Sequence, residues 1–176
     1  MNNDVAQIIT RIIGKPCSRR EVGRMRSLSL GFGDQVQRRT KLGDKCYGEW
    51  ELGTYRSAWR VVREGIVLCG SQDVADSIEE LNLALGQLDL GCFDSLRQIG
   101  ELDLRIQLDN GVAIDFLTTL SDEDECFHMF CPGELFVQFS IRGGWEIGRS
   151  GEPWPQGPSG DSGGGIHRGK GKSRDE

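Results

Sequence analysis

Basic residues are almost missing from the middle of this 176-residue chain. Between positions 67 and 148 the only Lys or Arg side chains are Arg97, Arg105 and Arg142, against 16 Asp and Glu, which gives this block a net charge of −13. Residues 1–66 carry 13 Lys and Arg against 7 Asp and Glu, or +6. So many carboxylates cannot all pair within the block. Their surface should repel nucleic acid and attract cations or a basic protein.

Long apolar runs are missing as well. No stretch approaches the roughly 18 apolar residues of a membrane-spanning helix. The N-terminus has neither the basic cluster nor the continuous apolar core of a secretion signal. We therefore expect a cytoplasmic protein that has no membrane partner. In that compartment the six cysteines should stay reduced, and since none forms a Cys-x-x-Cys pair, we expect buried free thiols.

Histidine is scarce, which limits the enzymatic mechanisms open to the chain. Only His128 and His167 occur, so a Ser or Cys nucleophile would depend on His128 as its base. Cys126, His128 and Cys131 match no common zinc spacing. Gly171-Lys172-Ser173 lacks the first glycine of a phosphate loop. We predict no catalytic residue, metal ligand or cofactor. A hydrolase or nuclease that uses grouped carboxylates and a divalent ion remains an alternative.

The hydrophobic pattern predicts an α+β fold, mainly antiparallel sheet with two flanking helices. Asn2 or Asn3 should cap a first helix, whose buried face would carry Val5, Ile8, Ile9 and Ile12. A second helix is predicted from about Val74 to Leu85, with Ser71 or Asp73 as its cap. Alternating apolar residues predict strands over most of the remaining chain to residue 148.

Two hairpins allow the strand register to be predicted. A three-residue Asp109-Asn110-Gly111 loop pairs Leu108 with Val112, Ile106 with Ile114 and Leu104 with Phe116, and it keeps these apolar side chains on one face. The same register sets Arg105 opposite Asp115. By the same reasoning an Arg142-Gly143-Gly144 loop pairs Ile141 with Trp145 and Phe139 with Ile147.

A change in composition predicts the domain boundary. Residues 149–176 contain eight glycines and three prolines but almost no aliphatic side chains. Such a segment buries too little apolar surface to offset the entropy lost on ordering. We therefore predict a single α+β domain over residues 1–148 and a flexible, disordered tail over residues 149–176.

The basic N-terminal part admits two interpretations. Its side chains can contact phosphates, or its loops can pack against the acidic half of the same chain; they are Arg19, Arg20, Arg24, Arg26, Arg38, Arg39, Lys41 and Lys45. No recognisable nucleic-acid module contains them. We predict the intramolecular role and no nucleic-acid partner.

Several segments resemble a family of uncharacterised bacterial immunity-like proteins from polymorphic toxin systems. The stretches that carry the resemblance are Ser27-Leu-Ser-Leu-Gly-Phe-Gly-Asp34, Ser57-Ala-Trp-Arg-Val-Val62, Ile66-Val-Leu-Cys-Gly-Ser-Gln-Asp73, Leu108-Asp-Asn-Gly-Val112, Phe127-His-Met-Phe-Cys-Pro-Gly133 and Gly143-Gly-Trp-Glu-Ile147. They cover most of residues 15–148. The resemblance implies a shared α+β fold and a toxin-neutralising role, and it carries over no catalytic residue.

We therefore expect a non-enzymatic binding protein, an immunity protein that neutralises a basic cognate toxin by occluding it with an acidic surface. The expected contact residues are Asp122, Glu123, Asp124 and Glu125, supported by Glu79, Glu80 and Asp103. A structural or regulatory subunit of an antiphage defence assembly, which would use apolar surface, is a second alternative. The sequence leaves the oligomeric state open.

Overall fold

The computed structural model describes residues 1–40, 43–119 and 125–150. The helices are α1 (Asn3–Thr10) and α2 (Ile78–Gly86), with a 3-10 turn at Arg24–Arg26. The strands are β1 (Cys17–Val22), β2 (Leu28–Thr40), β3 (Gly43–Thr54), β4 (Ala58–Arg63), β5 (Ile66–Gly70), β6 (Phe93–Ile99), β7 (Asp103–Leu108), β8 (Val112–Leu117), β9 (Glu125–Phe130), β10 (Leu135–Ser140) and β11 (Gly144–Arg149).

The strands form two antiparallel sheets that pack face to face. One sheet has the order β1-β2-β3-β9-β10-β11, and the other has the order β5-β4-β8-β7-β6. Side chains from both sheets meet in one core, where Phe32 contacts Phe93 at 5.6 Å and Phe116 contacts Phe127 at 5.2 Å between ring centroids. With its two short helices the architecture is α+β, as predicted. No helix in the described residues is long and apolar enough to cross a membrane.

Helix α1 confirms its prediction, whereas α2 begins later than predicted. Asn2 caps α1 by accepting a hydrogen bond from the amide of Val5 at 2.9 Å. Helix α2 begins at Ile78 with Ser77 as its cap, and Val74 is fully exposed. The reason is tertiary: the guanidinium of Arg26 donates hydrogen bonds to the carbonyls of Ser71, Asp73 and Ala75, and this holds the segment before α2 as a loop.

One predicted hairpin register is confirmed and the other is wrong. Leu104 pairs with Phe116, Ile106 with Ile114 and Arg105 with Asp115, as predicted. In the last hairpin Phe139 pairs with Trp145, Val137 with Ile147 and Ser140 with Gly144, so the loop is residues 141–143. This register places the Trp145 ring 5.0 Å from that of Phe139 and 6.1 Å from that of Phe127, and Ser140 Oγ accepts the amide of Gly143.

The last described strand extends beyond the predicted boundary at residue 148. Strand β11 ends at Arg149, and the amide of Ser150 donates to the carbonyl of Glu134 at 2.8 Å. The sheet therefore includes the first residues of the predicted tail. The rest of that tail, residues 151–176, lies outside the described residues.

Asp115 carries the fully buried carboxylate of the five-stranded sheet. It accepts hydrogen bonds from Arg60 Nε at 2.8 Å and from Arg105 Nε at 2.5 Å. Burial raises the pKa of this carboxyl, but the hydrogen bonds from Arg105 and Arg60 lower it by more than burial raises it. The folded pKa therefore lies below the usual value. The charge of Asp115 is thus neutralised within the fold by Arg60 and Arg105.

Replacing Asp115 with Asn tests this buried cluster. The amide leaves Arg60 and Arg105 without a counter-charge, so the free energy of unfolding in urea at pH 7 should fall by about 3 kcal/mol, since both Arg side chains are partly exposed. Because folding lowers the pKa of Asp115, its contribution should be complete above the ordinary value of 3.8. That contribution should disappear as the pH falls through the folded pKa.

The matched control is Asp94→Asn, which changes an exposed carboxylate that forms no salt bridge within the described residues. It should alter the free energy of unfolding by less than about 0.5 kcal/mol. Equal losses in the two variants, or a D115N deficit that does not shrink in acid, would contradict the assigned role.

Candidate functional site

The predicted acidic surface is only partly described. Asp122, Glu123 and Asp124 lie outside the described residues. Glu79 and Glu80 are exposed on the first turn of α2. Asp103 is half-buried and accepts a hydrogen bond from the amide of Thr118 at 2.8 Å. Glu125 turns toward His128 rather than toward solvent, with 2.6 Å between its Oε1 and the ring Nδ1. Within the described residues no hydrogen bond or salt bridge joins these four carboxylates to one another.

Most of the described acidic side chains in the middle block form no salt bridge to Arg or Lys. Within the described residues of 67–148, Asp115 forms the block's only salt bridges to Arg or Lys. Arg19 pairs with Glu21 and Glu51 of the N-terminal part. The predicted packing of basic N-terminal residues against the acidic half is seen for Arg20 and Arg26, which donate to its backbone carbonyls. Among the described residues, Arg60 is the only N-terminal cation that forms a salt bridge with an acidic side chain of that half.

The structure also forms a cleft that the sequence did not predict. Beyond a register shift between Phe32 and Gln35, β2 and β3 continue as a two-stranded ribbon formed by residues 35–40 and 43–48. The ribbon turns back over the outer face of the six-stranded sheet, the face away from the core. There the Tyr47 ring lies 5.1 Å from the guanidinium of Arg19 in β1. The space between ribbon and sheet, which we call the ribbon cleft, measures about 460 Å³.

Two glycines permit this fold-back. A Cβ atom on Gly48 would lie 2.5 Å from Gly31 Cα and 2.6 Å from the amide nitrogen of Phe32. A Cβ atom on Gly31 would lie 2.8 Å from the amide nitrogen of Gly48. Both clashes are with backbone, which cannot move aside as a flexible side chain can. The close approach therefore requires glycine on both strands.

A buried charge network forms part of the cleft floor. Glu51 is only 4% exposed and binds Arg19 Nη1, Ser29 Oγ at 2.6 Å and the amide of Gly48 at 2.9 Å. Arg19 also bonds Glu21. The network thus joins β1, β2 and β3 and anchors the base of the ribbon. The network sets one guanidinium against two carboxylates, so Arg19 is not available as a free cation.

A histidine beside this network has one nitrogen free for a ligand. His128 lines the cleft but is only 3% exposed, and its Nδ1 is engaged by Glu125. The Tyr55 ring stacks on the imidazole at 4.4 Å between centroids. No hydrogen bond joins His128 Nε2 to any other residue in the part of the chain that is described. The carboxylate at Nδ1 fixes the ring orientation, so Nε2 is the nitrogen that can bond a molecule in the cleft.

The ribbon supplies the positive charge of the cleft. Arg38 and Lys45 line it from above, together with Tyr47. Neither cation forms a salt bridge with a described residue, and the hydrogen bond from Arg38 is a long one, 3.5 Å to the carbonyl of Glu49. Lys45 is exposed. The cleft therefore combines two unpaired cations with aromatic rings, a composition suited to anionic ligands.

Thiols and metal ligands do not converge here. In the described residues no three His, Cys, Asp or Glu side chains come together in a way that could hold a metal ion. All six cysteines are free; Cys69, Cys126 and Cys131 are buried, as predicted for all six, whereas Cys17, Cys46 and Cys92 are half-buried. Burial raises the pKa of Cys17 to about 11 and that of Cys131 to about 12, so these thiols are poor nucleophiles.

Sequence reasoning considered some of these residues but missed the site. Arg38 and Lys45 appeared only as members of a basic stretch, and His128 only as a possible base and in a spacing that does not fit zinc. The signal that was present is the recurrence of Tyr47, Glu51 and Tyr55 along β3 and the residue that follows it. It could not reveal the cleft, because the roof is formed by a strand segment folding over its own sheet.

Substituting Gly48 with Ala tests the fold-back. The added methyl group would meet backbone atoms at 2.5–2.6 Å, so the free energy of unfolding in urea should fall by about 1–3 kcal/mol. The matched control is Gly86→Ala at the end of α2, where nothing lies within 4 Å of the added atom. That variant should be neutral or more stable by up to about 1 kcal/mol. Wild-type stability in the Gly48 variant would contradict the described contact.

No protein-family model, curated protein or solved structure matches this chain. Its function must therefore be argued from the chemistry of its own surfaces.

Proposed function

We propose that this protein is a non-enzymatic binding protein of the immunity type, which neutralises a basic toxin by covering it with an acidic surface. The observation that carries the proposal is the state of the acidic block: of its described carboxylates, only Asp115 is spent on a salt bridge to Arg or Lys. The remaining charges create a field that attracts a positively charged partner and speeds its association.

The topology gathers many of these carboxylates at one end of the sandwich. Strand β7 begins at Asp103 and β9 begins at Glu125, both beside the end of β8, where Thr118 bonds Asp103 and Cys126. Helix α2 begins at the same end, because β5 finishes there and Arg26, just before β2, binds the segment that precedes the helix. This acidic end therefore presents Glu79 and Glu80 to solvent.

The main alternative, a hydrolase or nuclease, requires grouped carboxylates and a divalent ion, and the described residues offer no site of this kind. A metal-dependent hydrolase needs carboxylates that converge on one ion, and no group of three potential ligands is present there. The described carboxylates that line the ribbon cleft, Glu21 and Glu51, are instead bound by Arg19. Occlusion requires only an exposed surface of the correct charge, which the acidic end supplies.

The decisive experiment is protection from a toxin. The proposal predicts that a toxin gene lies directly upstream of this gene, and that co-expression relieves the growth inhibition caused by its toxin domain. The Glu79→Lys/Glu80→Lys variant should weaken binding of the purified toxin domain by about tenfold or more, measured by calorimetry, because attraction becomes repulsion. Binding by the wild type should also weaken with added salt, which screens exposed charges.

The matched control reverses two exposed carboxylates at the opposite end of the sandwich, Asp94→Lys/Glu134→Lys. It changes the net charge by the same amount and should retain binding within about twofold. Thermal melts verify that both variants fold. If the variant with Lys at positions 79 and 80 still protects fully and binds with wild-type affinity, Glu79 and Glu80 are not part of the contact surface. If both variants lose affinity equally, net charge alone explains the effect.

An uncharged sheet edge favours a second candidate, a subunit that assembles through apolar surface. The four edge strands are β1, β11, β5 and β6, and β5 alone contains no charged residue. Ile66, Val67 and Leu68 on this strand are 65%, 50% and 38% exposed. Natural sheet edges are usually protected by charge against pairing. We propose β5 of a second copy as the occupant, since two chains of net charge −6 can meet there without placing like charges in contact.

Light scattering coupled to size exclusion tests this pairing. The wild type should elute as a dimer at micromolar concentration, and Val67→Lys should elute as a monomer because two lysines would face each other across the junction. The control Leu83→Lys changes another exposed apolar residue, on α2, and should remain dimeric. A wild-type protein that stays monomeric across the concentration range would reject this candidate without affecting the neutralising role.

A further inference from the structure

We propose that the ribbon cleft binds a small ligand that joins a planar ring to a phosphate group, of the nucleoside monophosphate class. Its volume of about 460 Å³ falls within the roughly 300–1,000 Å³ of small-molecule sites. The inference does not depend on Glu79 and Glu80, the carboxylates tested above, since it depends on the opposite charge and on other contacts.

The charge that faces the cleft calls for an anion. The described acidic side chains that line it, Glu21 and Glu51, are both bound by Arg19. Arg38 and Lys45 face the same space without a carboxylate partner among the described residues. An Arg guanidinium and a Lys ammonium together match the several oxygens of a phosphate better than a single carboxylate.

The aromatic side chains call for a planar ring. Tyr55 is 54% exposed and lies almost parallel to the His128 ring, at an angle of 27°, so one ring face of Tyr55 is occupied by the imidazole. Tyr47 and Phe130 line the same space. Bases stack on such rings with about 1–3 kcal/mol each, and the stacking tolerates any base. The aromatic rings therefore favour a nucleotide over inorganic phosphate alone.

His128 supplies the polar group that a purely structural surface would lack. Its side chain lines the cleft, and Glu125 engages Nδ1 and sets the ring orientation. No described residue bonds Nε2, so this nitrogen is left for a hydrogen bond to the ligand.

Calorimetry on the full chain tests the proposal with AMP, GMP, CMP and UMP, their nucleosides and inorganic phosphate. We expect saturable binding of the monophosphates, with the nucleosides and inorganic phosphate each about 10- to 100-fold weaker, since each lacks one of the two contacts. Binding of inorganic phosphate as tightly as the nucleotides would show a simple anion site and overturn the ring assignment. Absence of saturable binding by any monophosphate would overturn the proposal.

Variants assign the contacts. Arg38→Gln and Lys45→Gln should each weaken nucleotide binding by about tenfold or more, whereas Arg97→Gln, an exposed arginine on β6, should leave it unchanged. Tyr55→Ala should weaken nucleotides and nucleosides in parallel but not inorganic phosphate. Equal losses for the Arg38, Lys45 and Arg97 variants would indicate general attraction and contradict the cleft. Melting temperatures verify that each variant folds. The Arg38 variant should still protect against the toxin, which keeps this test separate from the neutralising role.

Discussion

The contact between the backbones at Gly31 and Gly48 shapes the whole outer face of the six-stranded sheet. Without side chains at these two positions, the β2–β3 ribbon can bend back and lie over its own sheet. Glu51 then reaches the amide of Gly48, and Arg19 reaches the ring of Tyr47. A flat antiparallel sheet would expose this face to solvent. The fold-back converts it into a cleft in which basic, aromatic and imidazole groups meet.

The described carboxylates fall into two groups, those that are buried and paired and those that are outside the core. Buried carboxylates are few and fully engaged: Asp115 by two arginines, and Glu51 by Arg19, Ser29 and a backbone amide. The other described carboxylates of the middle block remain outside the core, without arginine or lysine partners. This distribution follows from the cost of burying an ion, which only good geometry can offset. It leaves a chain of net charge −6 with a pronounced negative field.

Two surfaces of opposite character result. The acidic end gathers carboxylates near the start of α2, and the ribbon cleft holds Arg38 and Lys45 over a floor in which Arg19 is paired with Glu21 and Glu51. An acidic protein can bind an anion only where nearby cations outweigh the negative field of the whole chain. The ribbon brings two such cations, Arg38 and Lys45, over the cleft. The acidic end suits a macromolecular partner, and the cleft suits a small one. Neither surface requires a catalytic group.

The local pattern of the sequence by itself determined the α+β class, the capping of α1 by Asn2 or Asn3, the hairpin of β7 and β8, and the pairing of Arg105 with Asp115. Each depends on residues that are close along the chain, where periodicity and turn chemistry dominate. The start of α2, the register at Trp145 and the ribbon cleft were decided only by tertiary structure. Arg26 captures distant carbonyls, Trp145 packs against Phe127, and Gly31 meets Gly48 across a bend. Such contacts join residues through space, and no local pattern contains them.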